Sequence, residues 1–224
     1  MRAIAGLWGM SQAQAAALAE HCRPLSAPRG EVIAQRGTLL PGVLVLCAGS
    51  VKLCLRSAEG DERVLRIVAA GESFGEPTAL LRKPCLYDAI ALTDAKLLSI
   101  ATAGIFALLS RDRRFARSVV VALAERSYTV LTELEAATTQ RGAQRLAGYL
   151  ESLPRRQGAR GAAKVLLPVS KTVVAALLGM KKETLSRLLR QLTADGVIGM
   201  TRREIDILDP ARLSAAAAHE RARA

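Results

Sequence analysis

The chain has 224 residues, half of them hydrophobic and only 3% aromatic, with a formal net charge of +12 at pH 7. This length suits two domains with a sizeable core, and the absence of a secretory leader or an apolar run of about 18 residues points to a cytoplasmic protein with no membrane partner. The charge is uneven: residues 141–224 carry 16 Lys and Arg against 7 Asp and Glu, whereas residues 1–110 carry 11 against 9, and a basic segment joined to a near-neutral one is the footprint of a protein that meets a polyanion.

Residues 11–22 (SQAQAAALAEHC) read as a short helix, with Ser11 as N-cap and Pro24 closing it. From Arg29 to Ile100 the texture changes to short β-type runs, EVIAQ, VLVLCAG, SVKLCLRS, RVLRIVAAG, DAIALTD and AKLLSI, punctuated by glycines, with Ala58-Glu59-Gly60-Asp61 as a hairpin turn. Many short strands predict an antiparallel β-barrel or roll, which either holds a ligand or is a filled core. Cys22, Cys47, Cys54 and Cys85 show no C-x-x-C spacing and read as free thiols, Cys47 and Cys54 as small strand residues.

Helix follows from Thr102, with a break around Ser110 to Arg113 and a long stretch from Phe115 to about Thr138. Val120, Leu123, Ser127, Val130, Leu134 and Ala137 recur at spacings of three and four, the seam of a coiled coil. The seam either packs on its own β-domain or joins two copies of the chain. The second reading agrees with the next elements, because helix-turn-helix proteins bind paired half-sites as two-fold dimers.

Residues 141–153 form an amphipathic helix with Leu146, Tyr149, Leu150 and Leu153 inward, the Arg- and Gly-rich 154–164 a loop, and Val165–Pro168 a short strand. Val173, Val174, Leu177 and Leu178 then lie at helical spacing, Gly179 breaks the pattern, and a second helix puts Leu185, Leu188, Leu189 and Leu192 on one face. That is a helix-turn-helix, and Thr201 to Arg203 between Gly199-Met200 and Glu204–Ile207 adds a wing. The tail from Ser214 reads as frayed. The outward face of the second helix carries Lys182, Glu183, Ser186 and Arg187. Arg187 can pair with guanine O6 and N7, Glu183 can accept from cytosine N4, and Ser186 can touch a neighbouring base, while Lys182 adds a cation. Lys171, Thr172, Lys181, Thr184 and Arg190 suit the phosphate backbone of double-stranded DNA, which positions without specifying. A plain surface salt bridge between Glu183 and Arg187 is the competing reading.

In this order, Gly71-Glu72-Ser73-Phe74-Gly75-Glu76 and Lys182-Glu183-Thr184-Leu185-Ser186-Arg187-Leu188-Leu189 make the chain resemble, over nearly its whole length, the CRP/FNR family of bacterial transcription regulators. The resemblance implies an α+β protein: a jelly-roll-like β-roll of the cyclic-nucleotide-binding fold over residues 1–110, a dimerisation helix over 111–138 and a winged helix-turn-helix over 139–224. It implies a homodimeric, non-enzymatic regulator with RNA polymerase among its partners, activator or repressor being left open, and an effector region at Gly71, Glu72, Gly75, Glu76, Cys85 and Leu86. Members that bind cyclic AMP hold its phosphate with an Arg-Ser pair where this chain has Cys85 and Leu86, which argues against cyclic AMP. The iron–sulfur branch needs several N-terminal cysteines where this chain offers Cys22, which argues against a cluster. The haem branch stays open through His21 or Cys22, although a partly exposed histidine at a helix end is the plainer reading, and a thiol switch at Cys85 or Cys22 stays open too. The C-terminal RREIDILDPARL is similar to the nitric-oxide-responsive denitrification regulators. Glu-x-x-Ser-Arg at 183–187 matches the members that read TTGAT half-sites, implying a TTGAT-N4-ATCAA palindrome. A cyclic-nucleotide-binding module acting on a protein partner is the alternative. An enzyme is disfavoured, since there is no metal-ligand spacing, no G-x-S-x-G and no nucleophile beside either histidine.

Overall fold

The alternating runs between Cys22 and Ala101 fold into eight strands: β1 (Cys22–Ala27), β2 (Val32–Ala34), β3 (Gly42–Ala48), β4 (Ser50–Arg56), β5 (Glu62–Ala69), β6 (Ser73–Phe74), β7 (Asp88–Ala91) and β8 (Ala95–Ala101). They pair antiparallel as two four-stranded sheets, in the orders β1-β8-β3-β6 and β2-β7-β4-β5. The computed structural model describes residues 7–57, 60–157 and 163–218, and the chain divides into two units, Met1–Thr129 and Val130–Ala224.

The unbroken apolar run in β3 has a physical cause, since both faces of its sheet are covered. Leu44 and Leu46 enter the core between the sheets with Val51, Leu53, Val68, Phe74 and Leu97. Val43 and Val45 face the other way, onto Leu18, Ile105 and Phe115 of three helices. Those helices are α1 (Gln12–Ala19), α3 (Thr102–Arg111) and α4 (Arg113–Thr139), with the short α2 (Glu76–Leu81) between β6 and β7.

The N-terminal helix is shorter than the sequence suggests. A capping box between Ser11 and Gln14 starts it, and it ends at Ala19. Cys22 to Ala27 is not a helix end but strand β1, in which Pro24 faces Leu98. Proline is tolerated there because β1 lies at the sheet edge and needs no second ladder partner. The break before the long helix falls at Asp112. Its Oδ1 accepts from the amides of Arg114 and Phe115 at 2.8 and 3.0 Å, capping α4, and its Oδ2 accepts from Gln14 Nε2 at 2.7 Å.

In the second unit, α5 (Gly142–Ser152), α6 (Lys171–Leu177), α7 (Lys182–Ala194) and α8 (Pro210–Ala218) surround a sheet of order β11-β12-β10-β9. Its strands are β9 (Arg156–Gln157), β10 (Ala163–Leu166), β11 (Ile198–Thr201) and β12 (Glu204–Ile207). Leu146, Leu150, Val165, Val174, Leu185, Leu189, Ile198, Ile205 and Leu213 form its buried side chains. Two expectations shift. Arg156 and Gln157 pair with β10 instead of looping, and Ser214 to Ala218 stay helical behind the buried Leu213. Ala58 and Glu59 of the hairpin turn, residues 158–162 of the Arg- and Gly-rich stretch and residues 219–224 of the tail lie outside the described residues.

Candidate nucleic-acid interface

The second helix of the helix-turn-helix is held from behind. Leu185 and Leu189 of α7 are 0% and 3% exposed, and Leu188 and Leu192 are half-buried. The turn before it uses Gly179 at φ 62, a left-handed conformation that glycine adopts without steric penalty. Ser170 caps α6 by accepting from the Val173 amide at 3.4 Å. At the start of α7, Lys181 is the N-cap residue and supplies no side-chain acceptor, so the first-turn amides stay open to an outside oxygen.

The expected base-reading residues gather on one side of α7. Lys182, Glu183 and Arg187 are exposed and Ser186 is half-buried between them. Although Glu183 and Arg187 are one turn apart, they form no ion pair with each other or with any other described residue. The surface salt bridge that their spacing allows is therefore not made. Both side chains remain available to an outside donor and acceptor. Of the expected phosphate contacts, Thr172 and Lys181 are exposed, Lys171 and Thr184 are half-buried, and Arg190 folds back so that its Nε donates to the Ser186 carbonyl at 3.3 Å.

On α4 the seam side chains point to solvent: Val120 is 65% exposed and Leu134 57%, with Leu123, Ser127, Val130 and Ala137 exposed as well. The sequence reading missed Val121, Tyr128 and Leu131, which are exposed beside them. Their own spacing through Ala124 repeats the three-four pattern, so the apolar face of α4 is two seams wide.

The effector region is brought together but is not shaped for a phosphodiester. Glu72 accepts from the Ala69 amide at 2.7 Å and pairs with Arg66 at 3.2 Å, while Arg66 Nη1 also donates to the Ser73 carbonyl. Glu76 accepts from the Ser73 hydroxyl. The Leu40 side chain lies against Gly75, 2.7 Å from where a Cβ would be. Cys85 is buried, its thiol donating to the Tyr87 carbonyl and its main chain paired with Gly37 and Thr38, whereas Leu86 is 72% exposed. Burial, with Cys85 and Glu76 beside it, pushes the Tyr87 hydroxyl above its ordinary range. A cyclic phosphate needs a fixed cation. Arg66 is committed to Glu72, and Arg82 and Lys83 are exposed in the loop after α2. These residues do not fit a cyclic nucleotide.

His21 is exposed, and its ring packs so closely on Gly104 that a Cβ there would fall 2.3 Å from the His21 Cγ. Cys22 is half-buried and donates to the Leu18 carbonyl, and burial raises its thiol pKa as it does those of Cys47 and, to about 11, Cys54. Among the described residues no group of three or more His, Cys, Asp or Glu could hold a metal ion. No helix among them is long and apolar enough to cross a membrane.

Two family models cover these units. The cyclic nucleotide-binding domain matches residues 24–112, and the Crp-like helix-turn-helix domain matches residues 144–216. The chain is 29% identical over 186 residues to the cyclic AMP receptor protein of Thermus thermophilus, covering 83% of this chain and 84% of the relative. A crystal structure of a CRP/FNR-family transcriptional regulator from Thermus thermophilus superposes with a TM-score of 0.68 at 25% identity, over 87% of this chain and 98% of the other. FixK2 from Bradyrhizobium japonicum, at 21% identity, shares the fold with a TM-score of 0.76 over 89% of this chain and 98% of the other.

Proposed function

Because the chain belongs to the CRP/FNR family of DNA-binding transcription regulators, we propose that it acts as a homodimer on a palindrome resembling TTGAT-N4-ATCAA. In this reading residues 1–110 form a sensor, 111–138 the dimerising helix and 139–224 the DNA-binding part. Glu183, Ser186, Arg187 and Lys182 read base edges, and Lys171, Thr172, Lys181, Thr184 and Arg190 meet phosphates. The observation that carries it is the pair of unspent charges, Glu183 and Arg187, on the outward face of a helix whose other face is buried. The exposed double seam of α4 supports a second copy of the chain, which would set two α7 helices about 34 Å apart in successive major grooves.

The protein is cytoplasmic and non-enzymatic in this reading, and it regulates transcription with RNA polymerase as a partner, activation and repression both being open to it. Its signal is one other than cyclic AMP in this reading, although the Thermus relative carries that ligand in its name, because the family resemblance puts Cys85 and Leu86 at the places of the Arg-Ser pair that holds the phosphate. Placement beside the nitric-oxide-responsive denitrification regulators rests on the stretch Arg202–Leu213, and haem remains the cofactor that branch would call for. Fluorescence anisotropy with a TTGAT-N4-ATCAA duplex and a scrambled duplex tests the function. Tighter binding to the palindrome by about a thousandfold or more is expected, and equal binding to both would overturn it.

A further inference from the structure

Apart from the effector region of the β-roll, the first unit carries a groove between the 3-10 turn Leu7–Gly9 and the first half of α4. It encloses about 580 Å³, within the roughly 300–1,000 Å³ typical of small-molecule sites. Arg114, Ser118 and Ala122 stand one turn apart on one row of α4, and Arg117, Val121 and Glu125 on the next, so both rows line the groove opposite Trp8. Trp8 is a bulky residue at φ 52, followed by Gly9 at φ 66. A side chain takes that left-handed backbone only under strain. In this position the indole packs on Phe115, ring centroids 6.1 Å apart at 50°, and stays half-buried as a wall of the groove.

The charges of the groove are separated along its length. Arg114 and Arg117 are exposed at one end, and Arg117 has no hydrogen bond or ion pair among the described residues. Arg114 pulls on the Asp112 carboxylate, whose oxygens are already held by Gln14 and two amides of α4. Glu125 closes the other end, about 16 Å along the helix from Arg114. Between them Trp8, Val121 and Ala122 make an apolar middle. The groove thus offers a cationic head site, an apolar body site and a negative far end that repels a second acid group.

We propose that this groove binds a small amphipathic monocarboxylate, its carboxylate on Arg114 and Arg117 and its apolar body over Trp8, Val121 and Ala122. Guanidinium is the cation whose planar fork matches a carboxylate with two parallel hydrogen bonds. A second copy of the chain is the rival occupant, since Val121 also belongs to the outer seam of α4. It fits less well, because a second α4 seated here in register about a two-fold axis would set arginine against arginine.

Trp8 is the only tryptophan of the chain, so its emission reports on the groove directly. Octanoate and octanamide are titrated into the full chain and followed by Trp8 emission and calorimetry. Octanoate should shift the emission saturably and bind about five- to tenfold more tightly than octanamide. Arg114→Met with Arg117→Met should reduce octanoate to the octanamide level and leave the circular dichroism spectrum unchanged. No saturable shift with octanoate, equal affinity for the two probes, or an undiminished preference in the double variant would overturn the proposal. A ligand-free emission that shifts on dilution, with octanoate binding only the diluted chain, would assign the groove to the second copy and overturn it as well.

Discussion

Arg145 in α5 donates through Nε to the Leu178 carbonyl at 2.9 Å, and the same guanidinium donates through Nη1 to the Gln140 carbonyl. One half-buried cation therefore satisfies the C-terminal ends of α6 and α4 together, where helix dipoles favour positive charge. Removing it leaves two carbonyls short of a donor beside the turn that aims α7. Arg145→Leu should lower stability by roughly 1.5–3 kcal/mol in urea denaturation and weaken binding to every DNA sequence without changing which is preferred. An unchanged denaturation midpoint would refute the structural role.

Specific and general DNA contacts should separate by mutation. Arg187→Ala should cost about 1–3 kcal/mol and relax the guanine position of the half-site. Lys171→Ala should weaken all sequences alike and reduce the slope of log K against log salt by about one. Titrations at several salt concentrations distinguish the two outcomes.

The exposed seam of α4 can be charged without disturbing the fold of a single chain, because Leu123 and Leu134 contact solvent. The double variant Leu123→Glu and Leu134→Glu should keep the wild-type circular dichroism spectrum but sediment as a monomer. It should lose the advantage of the full palindrome over a half-site. A dimer that persists would place the interface elsewhere.

Asp112 gives a pH signature. The hydrogen bond from Gln14, and then the Phe115 amide, hold its carboxyl below the ordinary 3.8. A depressed acid contributes stability above its unfolded pKa and loses it as the pH falls through the folded value. Melting temperature should therefore fall as the pH drops below about 4, and Asp112→Asn should show a shallower fall over that range.

The strand runs, the helix-turn-helix and the face of α7 were legible because periodicity and turn residues agreed with burial. VLVLCAG was readable as strand although both its faces are covered. Strand β1 was not, since CRPLSA carries a proline and exposed residues at a sheet edge, and only its pairing with β8 stabilises it. Tyr128 and Leu131 were hidden behind the neighbouring seam, whose spacing is the same. The positive φ of Arg202 was invisible because a left-handed backbone leaves no mark on an Arg-Arg sequence. The failure of Arg66 to serve a phosphate depends on Glu72, a partner that spacing alone does not reveal.

Selection from a pool of random duplexes by the purified full chain, followed by sequencing of the bound fraction, is the most direct measurement. The expected result is a two-fold palindrome of TTGAT-like half-sites with centres about 10 base pairs apart, lost from the pool selected by Arg187→Ala. A bound fraction without a palindrome, or with half-sites lacking the TTGAT pattern, would contradict the reading of Glu183, Ser186 and Arg187.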